Sequence, residues 1–142
     1  MNKLFEGVRG FTRRDYEKHR SIYDELKERQ APHTLFVTCS DSRIVPSLIT
    51  QSMPGELFII RNVANIVPPV QMAEHFTENL SAVEYAVQAL DVKQVVICGH
   101  SNCGGCRALF AEPDEIDALP YTRRWLQHAH PARERAEARH DQ

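Results

Sequence analysis

Two short runs of this chain concentrate the residues able to do chemistry. The first is Cys39-Ser40-Asp41-Ser42-Arg43, and the second is Gly99-His100-Ser101-Asn102-Cys103-Gly104-Gly105-Cys106. Two thiolates and one imidazole, from Cys39, Cys103 and His100, form a donor set that suits Zn²⁺. Three protein donors leave the fourth tetrahedral position open, which is the pattern of a catalytic rather than a structural zinc. The His-x-x-Cys spacing alone says little. Joined to Cys-x-Asp-x-Arg on a second segment, it says much more. Other chemistries compete for the same residues. The site could be a structural zinc closed by Asp41. Cys103 and Cys106 match Cys-x-x-Cys and could form a redox pair, although His100 and Cys39 favour metal. Gly104-Gly105 lacks the spacing of a phosphate loop. Cys106 reads as a spare small helix residue, and Cys98 as a buried apolar residue at a strand end. The remaining histidines, His19, His33, His75, His128, His130 and His140, stand among polar neighbours and read as surface residues.

Elements must bring the two runs together. Thr34 to Thr38 is a short apolar, β-branched run that predicts a buried strand ending at Cys39. Glu56 to Arg61 predicts a second strand, leaving through the loop Asn62-Val63-Ala64-Asn65. Gln94 to Cys98 predicts a third buried strand, ending at the His100 run. Helical spacing is expected over 12–29, with Phe11, Tyr16, Ile22, Tyr23 and Leu26 as its apolar positions. It is also expected weakly around 46–52, over 78–90, from Arg107 onward, and over 121–130 with Trp125 as a packing residue. Residues 131–142 carry no large apolar side chain and read as a solvated helix or frayed tail. Strands alternating with helices predict an α/β fold with a mainly parallel sheet. Ligands in such folds bind beyond the carboxyl ends of the strands, where both reactive runs lie.

Composition narrows the class further. The chain has 142 residues, 42% hydrophobic and 25% charged, which are ordinary values for one globular domain. Its 17 Lys and Arg against 19 Asp and Glu give a net charge of −2, without the basic excess of a nucleic-acid binder. No apolar run approaches the roughly 20 residues of a membrane span. The charged first twenty residues contain no signal-peptide stretch, so a cytoplasmic location is expected.

The runs CSDSR at 39–43, RNVAN at 61–65 and GHSNCGG at 99–105 together resemble the three signatures of the β-class carbonic anhydrases, in the same order and spacing, from about Gln30 to Leu109. The resemblance implies a β-carbonic-anhydrase-like fold and zinc-dependent, reversible hydration of carbon dioxide to bicarbonate and a proton, with hydroxide formed at the metal as nucleophile. It implies one Zn²⁺ per subunit on Cys39, His100 and Cys103. It makes Asp41 and Arg43 the catalytic dyad, with Asp41 accepting a hydrogen bond from the water or hydroxide at the metal. It lines the substrate pocket with Gln30, Phe58, Val63 and Tyr85, part of it from a neighbouring subunit, so a homodimer or tetramer is implied. It also places Arg61 near the site, where composition alone would make it a surface charge. Some family members swing the aspartate onto zinc as a fourth ligand, and those tend to carry Trp three residues before the first cysteine. Phe36 stands there in this chain, which implies the open type.

The expected organisation is one domain over 1–142, with a helical arm at 1–30, the zinc-site core at 31–110 and a helical tail at 111–142. Family members usually continue several tens of residues further. Two other functions therefore stand beside carbon dioxide hydration. One is hydrolysis of carbon disulfide or carbonyl sulfide on the same fold. The other is a zinc-containing assembly subunit with little catalysis.

Overall fold

A computed structural model describes residues 2–71 and 77–140; His75 lies outside them. Among the described residues the sheet has three parallel strands in the order β2-β1-β3: β1 (Thr34–Cys39), β2 (Leu57–Asn62) and β3 (Gln94–Cys98). The chain is thus α/β with a parallel sheet and flanking helices, as its alternating pattern predicts. β1 lies between the other two strands, and every one of its residues is buried. Leu35, Phe36 and Val37 are at most 4% exposed, and burying each such side chain contributes about 1.5–3 kcal/mol. The Thr38 hydroxyl, also buried, donates to the Cys98 carbonyl at 3.0 Å, so the buried polar group is satisfied.

Helix α4 (Pro46–Thr50) follows β1, and α5 (Thr77–Glu84) lies between β2 and β3. α5 continues into a widened helical turn, Tyr85–Ala89, closed by the Leu90 N–H on the Tyr85 carbonyl at 3.0 Å. Ala82, Val83 and Ala86 from this segment pack on Leu35, Val37 and Ile60. That contact covers β1 and β2 and stops short of β3. Register sets Val95 beside Leu35 and Ile97 beside Val37, yet Val95 and Ile97 are 53% and 58% exposed. The third strand is therefore an open edge and not the buried strand its apolar run predicts. Cys98 is half-buried for the same reason, and not the buried residue expected.

The amino-terminal arm begins its helix earlier than the spacing over 12–29 predicts. α1 (Asn2–Gly10) runs through a π-helical turn at Phe11–Asp15 into α2 (Tyr16–Lys18), and α3 (Arg20–Leu26) follows a break at His19. Phe11, Tyr16 and Tyr23 cluster with ring centroids 5.0–6.3 Å apart. The arm meets the core where Leu26 rests on Gly55; a Cβ there would lie 2.7 Å from the leucine methyls, and φ is +93°.

Helix α6 (Gly104–Ala108) starts three residues before its expected position at Arg107, with Cys103 as its N-cap. The tail forms α7 (Pro120–Leu126), a 3₁₀ turn over Gln127–Ala129, and α8 (His130–His140). Residues 131–139 are mostly exposed, as their composition predicts. Ile116, Leu126 and Ala129 are buried in one cluster with Ala64, Ile66, Cys39 and Cys103. The tail thus packs directly behind the two thiols.

Candidate metal centre

Parallel pairing of β1 with β2 and β3 sets the carboxyl ends of the strands side by side. Thr38 pairs with Cys98, and Cys39 with Asn62. Cys39 leaves the end of β1, and the loop after β3 returns His100 and Cys103 to it. The two sulfurs are 3.7 Å apart, and both residues are 5% exposed. One ligand atom from each of Cys39, His100 and Cys103 lies within 4.8 Å of the others.

The imidazole is oriented for a metal. His100 Nδ1 lies 3.0 Å from the Ser101 carbonyl and so carries the proton, donating it there. That leaves Nε2 with a free lone pair, and this atom is buried without a hydrogen-bond partner. An orphaned imidazole nitrogen between two buried thiols is the donor set of Zn²⁺, and these residues fit that ion. The neighbouring Cys39 side chain raises the His100 imidazole above its ordinary pKa. Burial would push the Cys103 thiol up. The Cys106 N–H, 3.5 Å away in the first turn of α6, helps hold it below its ordinary value instead. Cys106 is the opposite case: burial and then the adjacent Cys103 push its thiol up to about 11.

Asp41 is turned toward Arg43. Its Oδ1 accepts from the Arg43 backbone N–H and Nε, each at 2.9 Å, and its Oδ2 accepts from Nη2 at 2.8 Å. The side-chain hydrogen bonds hold the carboxyl well below the usual carboxylate range. Arg43 Nη2 also donates to the Asn102 carbonyl at 3.0 Å. The arginine therefore ties the Cys39 run to the Cys103 run. Asp41 Oδ2 stands 3.9 Å from His100 Nε2, beside the three-donor group.

Arg61 lies on β2 and acts on backbone. Its Nε donates to the Cys39 carbonyl at 3.2 Å and its Nη2 to the Asp41 carbonyl at 2.7 Å. Asn62 fixes the loop that follows: its amide oxygen accepts from the Ile66 N–H, and its amide nitrogen donates to the Ile66 carbonyl, both at 2.8 Å. The loop is a 3₁₀ turn, Val63–Asn65, in which Ala64 and Asn65 have φ of +63° and +46°. Gly105 fits beneath it, because a Cβ there would lie 2.8 Å from Val63 Cγ1 and 2.9 Å from Ala64 Cβ.

The four expected pocket residues separate. Val63 lies against the metal loop through Gly105. Phe58 and Tyr85 meet each other, with centroids 6.0 Å apart. Phe58 pairs with Leu35, four residues before Cys39, which is roughly 13 Å along the strand. Gln30 is exposed ahead of β1, at that same far end. Within one chain, Gln30, Phe58 and Tyr85 do not reach the Cys39–His100–Cys103 group. The sequence places Arg61 near the site but does not show its part as a clamp on two carbonyls, and it marks Trp125 only as a packing residue. The signal for the first was an arginine directly preceding Asn62 at a strand end. Nothing in the sequence pointed to the second.

Comparison with known proteins agrees with this architecture. The carbonic anhydrase family model matches residues 34–142. A Helicobacter pylori carbonic anhydrase (strain J99) is 41% identical over 134 residues, covering 93% of this chain and 61% of that protein. A Synechococcus elongatus carbonic anhydrase is 44% identical over 133 residues, covering 94% of this chain and 48% of that protein. The chain thus spans between about half and three fifths of these relatives. Among solved structures, the β-carbonic anhydrase CcaA superposes with a TM-score of 0.89 at 40% identity, covering 94% of this chain and 64% of that one. The Coccomyxa β-carbonic anhydrase solved with acetazolamide gives 0.82 at 29% identity, covering 96% and 59%. By sequence over its core and by fold over nearly its whole length, this chain belongs to the carbonic anhydrase family, in its β class.

Proposed function

We propose that this chain catalyses the reversible hydration of carbon dioxide to bicarbonate and a proton, with one Zn²⁺ held by Cys39, His100 and Cys103. The observation that carries this is the buried, unpartnered His100 Nε2 beside the two thiols. Zinc, when bound, lowers the pKa of a water from 15.7 toward about 7, making hydroxide available near neutral pH.

The chain's own residues do the rest. Arg43 keeps Asp41 ionised and turned, so that its carboxylate would accept a hydrogen bond from the water or hydroxide at the metal and orient it. Arg61 holds the backbone of Cys39 and Asp41 in fixed relation. Val63 supplies apolar wall to a small, nonpolar substrate. Gln30, Phe58 and Tyr85 serve the site of a second copy, which makes the working form a homodimer or tetramer. Their distance from the metal group in their own chain supports this, and a structure similar at a TM-score of 0.78 and 28% identity comes from a pair of Sordaria macrospora β-carbonic anhydrases described as tetrameric. Among the described residues no helix is long and apolar enough to cross a membrane. The four cysteines are free thiols, in keeping with a reducing compartment such as the cytoplasm.

The test is stopped-flow carbon dioxide hydration on the zinc-loaded chain beside Cys103→Ala. Fast hydration lost in the variant is expected. A folded, zinc-loaded chain that hydrates no carbon dioxide would overturn the reading. Turnover of carbon disulfide or carbonyl sulfide in its place would move the substrate, and no turnover at all would leave an assembly role.

A further inference from the structure

Trp125 is remote in sequence from every signature of the site, yet it touches the wall of the candidate pocket. Its indole Nε1–H donates to the Val63 carbonyl at 2.8 Å. The next residue of α7, Leu126, is 2% exposed and shares a cluster with Cys39 and Cys103, so the indole stands on a fixed base. The His128 ring meets the indole edge-on, with centroids 5.8 Å apart.

The turn that receives this hydrogen bond is not self-supporting. Ala64 and Asn65 are consecutive non-glycine residues in the left-handed region, where alanine costs about 1–2 kcal/mol and asparagine less. Such a turn persists only where its surroundings over-determine it. Asn62 secures its two ends and Gly105 admits it from the metal side. The Val63 carbonyl accepts from Trp125, while the Val63 side chain lies against Gly105. We propose that Trp125 is a positioning residue for the substrate wall: through the Val63 carbonyl it keeps the Val63 side chain over the metal loop. The consequence for substrate rests on the hydration reading above; the clamp itself does not.

The experiment uses the zinc-loaded chain, Trp125→Phe, Val63→Ala and the double variant. Trp125 is the single tryptophan of the chain, so one indole N–H resonance reports on it. That proton should exchange with solvent at least about tenfold more slowly than a free indole, as a hydrogen bond that opens only with its turn requires. Trp125→Phe keeps a ring and loses the donor. It should raise KM for carbon dioxide about fivefold with kcat within about twofold, the signature of lost uniform binding. The effect should vanish in the Val63→Ala background, because the side chain that Trp125 positions is then absent while the carbonyl it bonds remains. A freely exchanging indole, an unchanged KM, or additive effects would overturn the proposal. If the zinc-loaded parent hydrates no carbon dioxide, the functional reading falls separately. The clamp is then decided by the indole exchange and by thiocyanate titration of the metal, whose Kd should weaken in Trp125→Phe and show the same non-additivity. Should Trp125→Phe fail to fold, exchange in the parent chain still decides it.

Discussion

Arg61 holds Cys39 by its carbonyl, not by its thiol: the guanidinium Nε donates to the Cys39 carbonyl at 3.2 Å, and Nη2 reaches on to the Asp41 carbonyl at 2.7 Å. One planar fork thereby fixes the first donor of the metal group and the first member of the Asp41–Arg43 pair. A lysine would keep the charge and lose the fork. Arg61→Lys should therefore weaken zinc binding about tenfold and lower kcat about ten- to a hundredfold, as loss of an outer partner at a metal site does. Competition with a chromophoric chelator measures the first, and stopped-flow hydration the second. Parent-like zinc affinity in Arg61→Lys would show that strand pairing alone holds Cys39.

Gly104 and Gly105 open the same helix and should respond oppositely to a methyl group. A Cβ at Gly104 meets nothing within 4 Å, whereas one at Gly105 meets the Ala64 backbone nitrogen at 3.0 Å and the Val63 and Ala64 side chains closer still. Gly104→Ala should be neutral or stabilise by up to about 1 kcal/mol, since alanine favours helix. Gly105→Ala should destabilise by about 1–3 kcal/mol through overpacking and displace Val63. Urea midpoints at equal m-value separate the two. Equal midpoints would mean that the Val63–Asn65 turn gives way at little cost.

The sequence carried the chemistry further than the packing. Cys39, His100 and Cys103 are legible because strand ends in a parallel sheet are where ligands gather, and the register bears out that the two strand ends adjoin. The exposure of β3 was not legible. An apolar run such as Gln94 to Cys98 reads as buried whichever position it takes in the sheet, and only strand order makes it an edge. The helical arm expected at 1–30 includes α1, but the apolar spacing that marks a helix begins only at Phe11, because charges interrupt Leu4, Phe5 and Val8, which the structure leaves exposed. The contact of Trp125 with Val63 spans 62 residues, and no local pattern encodes such a pairing. The separation of Gln30, Phe58 and Tyr85 from the metal group follows from register, which a motif list does not contain.

Arg43 and Asp41 give a pH signature with a definite sign. The folded carboxyl is held below its unfolded value, near 3.9, chiefly by the Arg43 side chain. Its contribution to stability is thus present above about pH 4 and is lost as pH falls through the lowered folded value. Arg43→Ala removes the partner, so the Asp41 carboxyl rises toward its ordinary range. In the metal-free chain the fall in Tm between pH 5 and pH 3 should then be shallower in Arg43→Ala than in the parent. Thermal melts at half-unit steps check this, and parallel curves would show that Asp41 is held by something other than Arg43.

Metal binding should register as folding stability, because the three donors come from the end of β1 and from the segment after β3, which the unfolded chain does not hold together. Zinc at a thousandfold its Kd stabilises by about 4 kcal/mol, and for a chain of this length each kcal/mol moves Tm by about 2–4 °C. Chelation should therefore lower Tm by about 8–16 °C, and added zinc should restore it. Cys103→Ala should start near the chelated value and respond to neither treatment, although its fold is retained. Leu126 extends the test beyond the donors. It is buried in one cluster with Cys39 and Cys103, so Leu126→Ala should cost about 2–4 kcal/mol and reduce the zinc-dependent rise as well. A Leu126→Ala chain that loses stability but keeps the full zinc-dependent rise would show that the tail supports the fold without supporting the metal centre. Differential scanning calorimetry with and without chelator makes both comparisons on one set of samples.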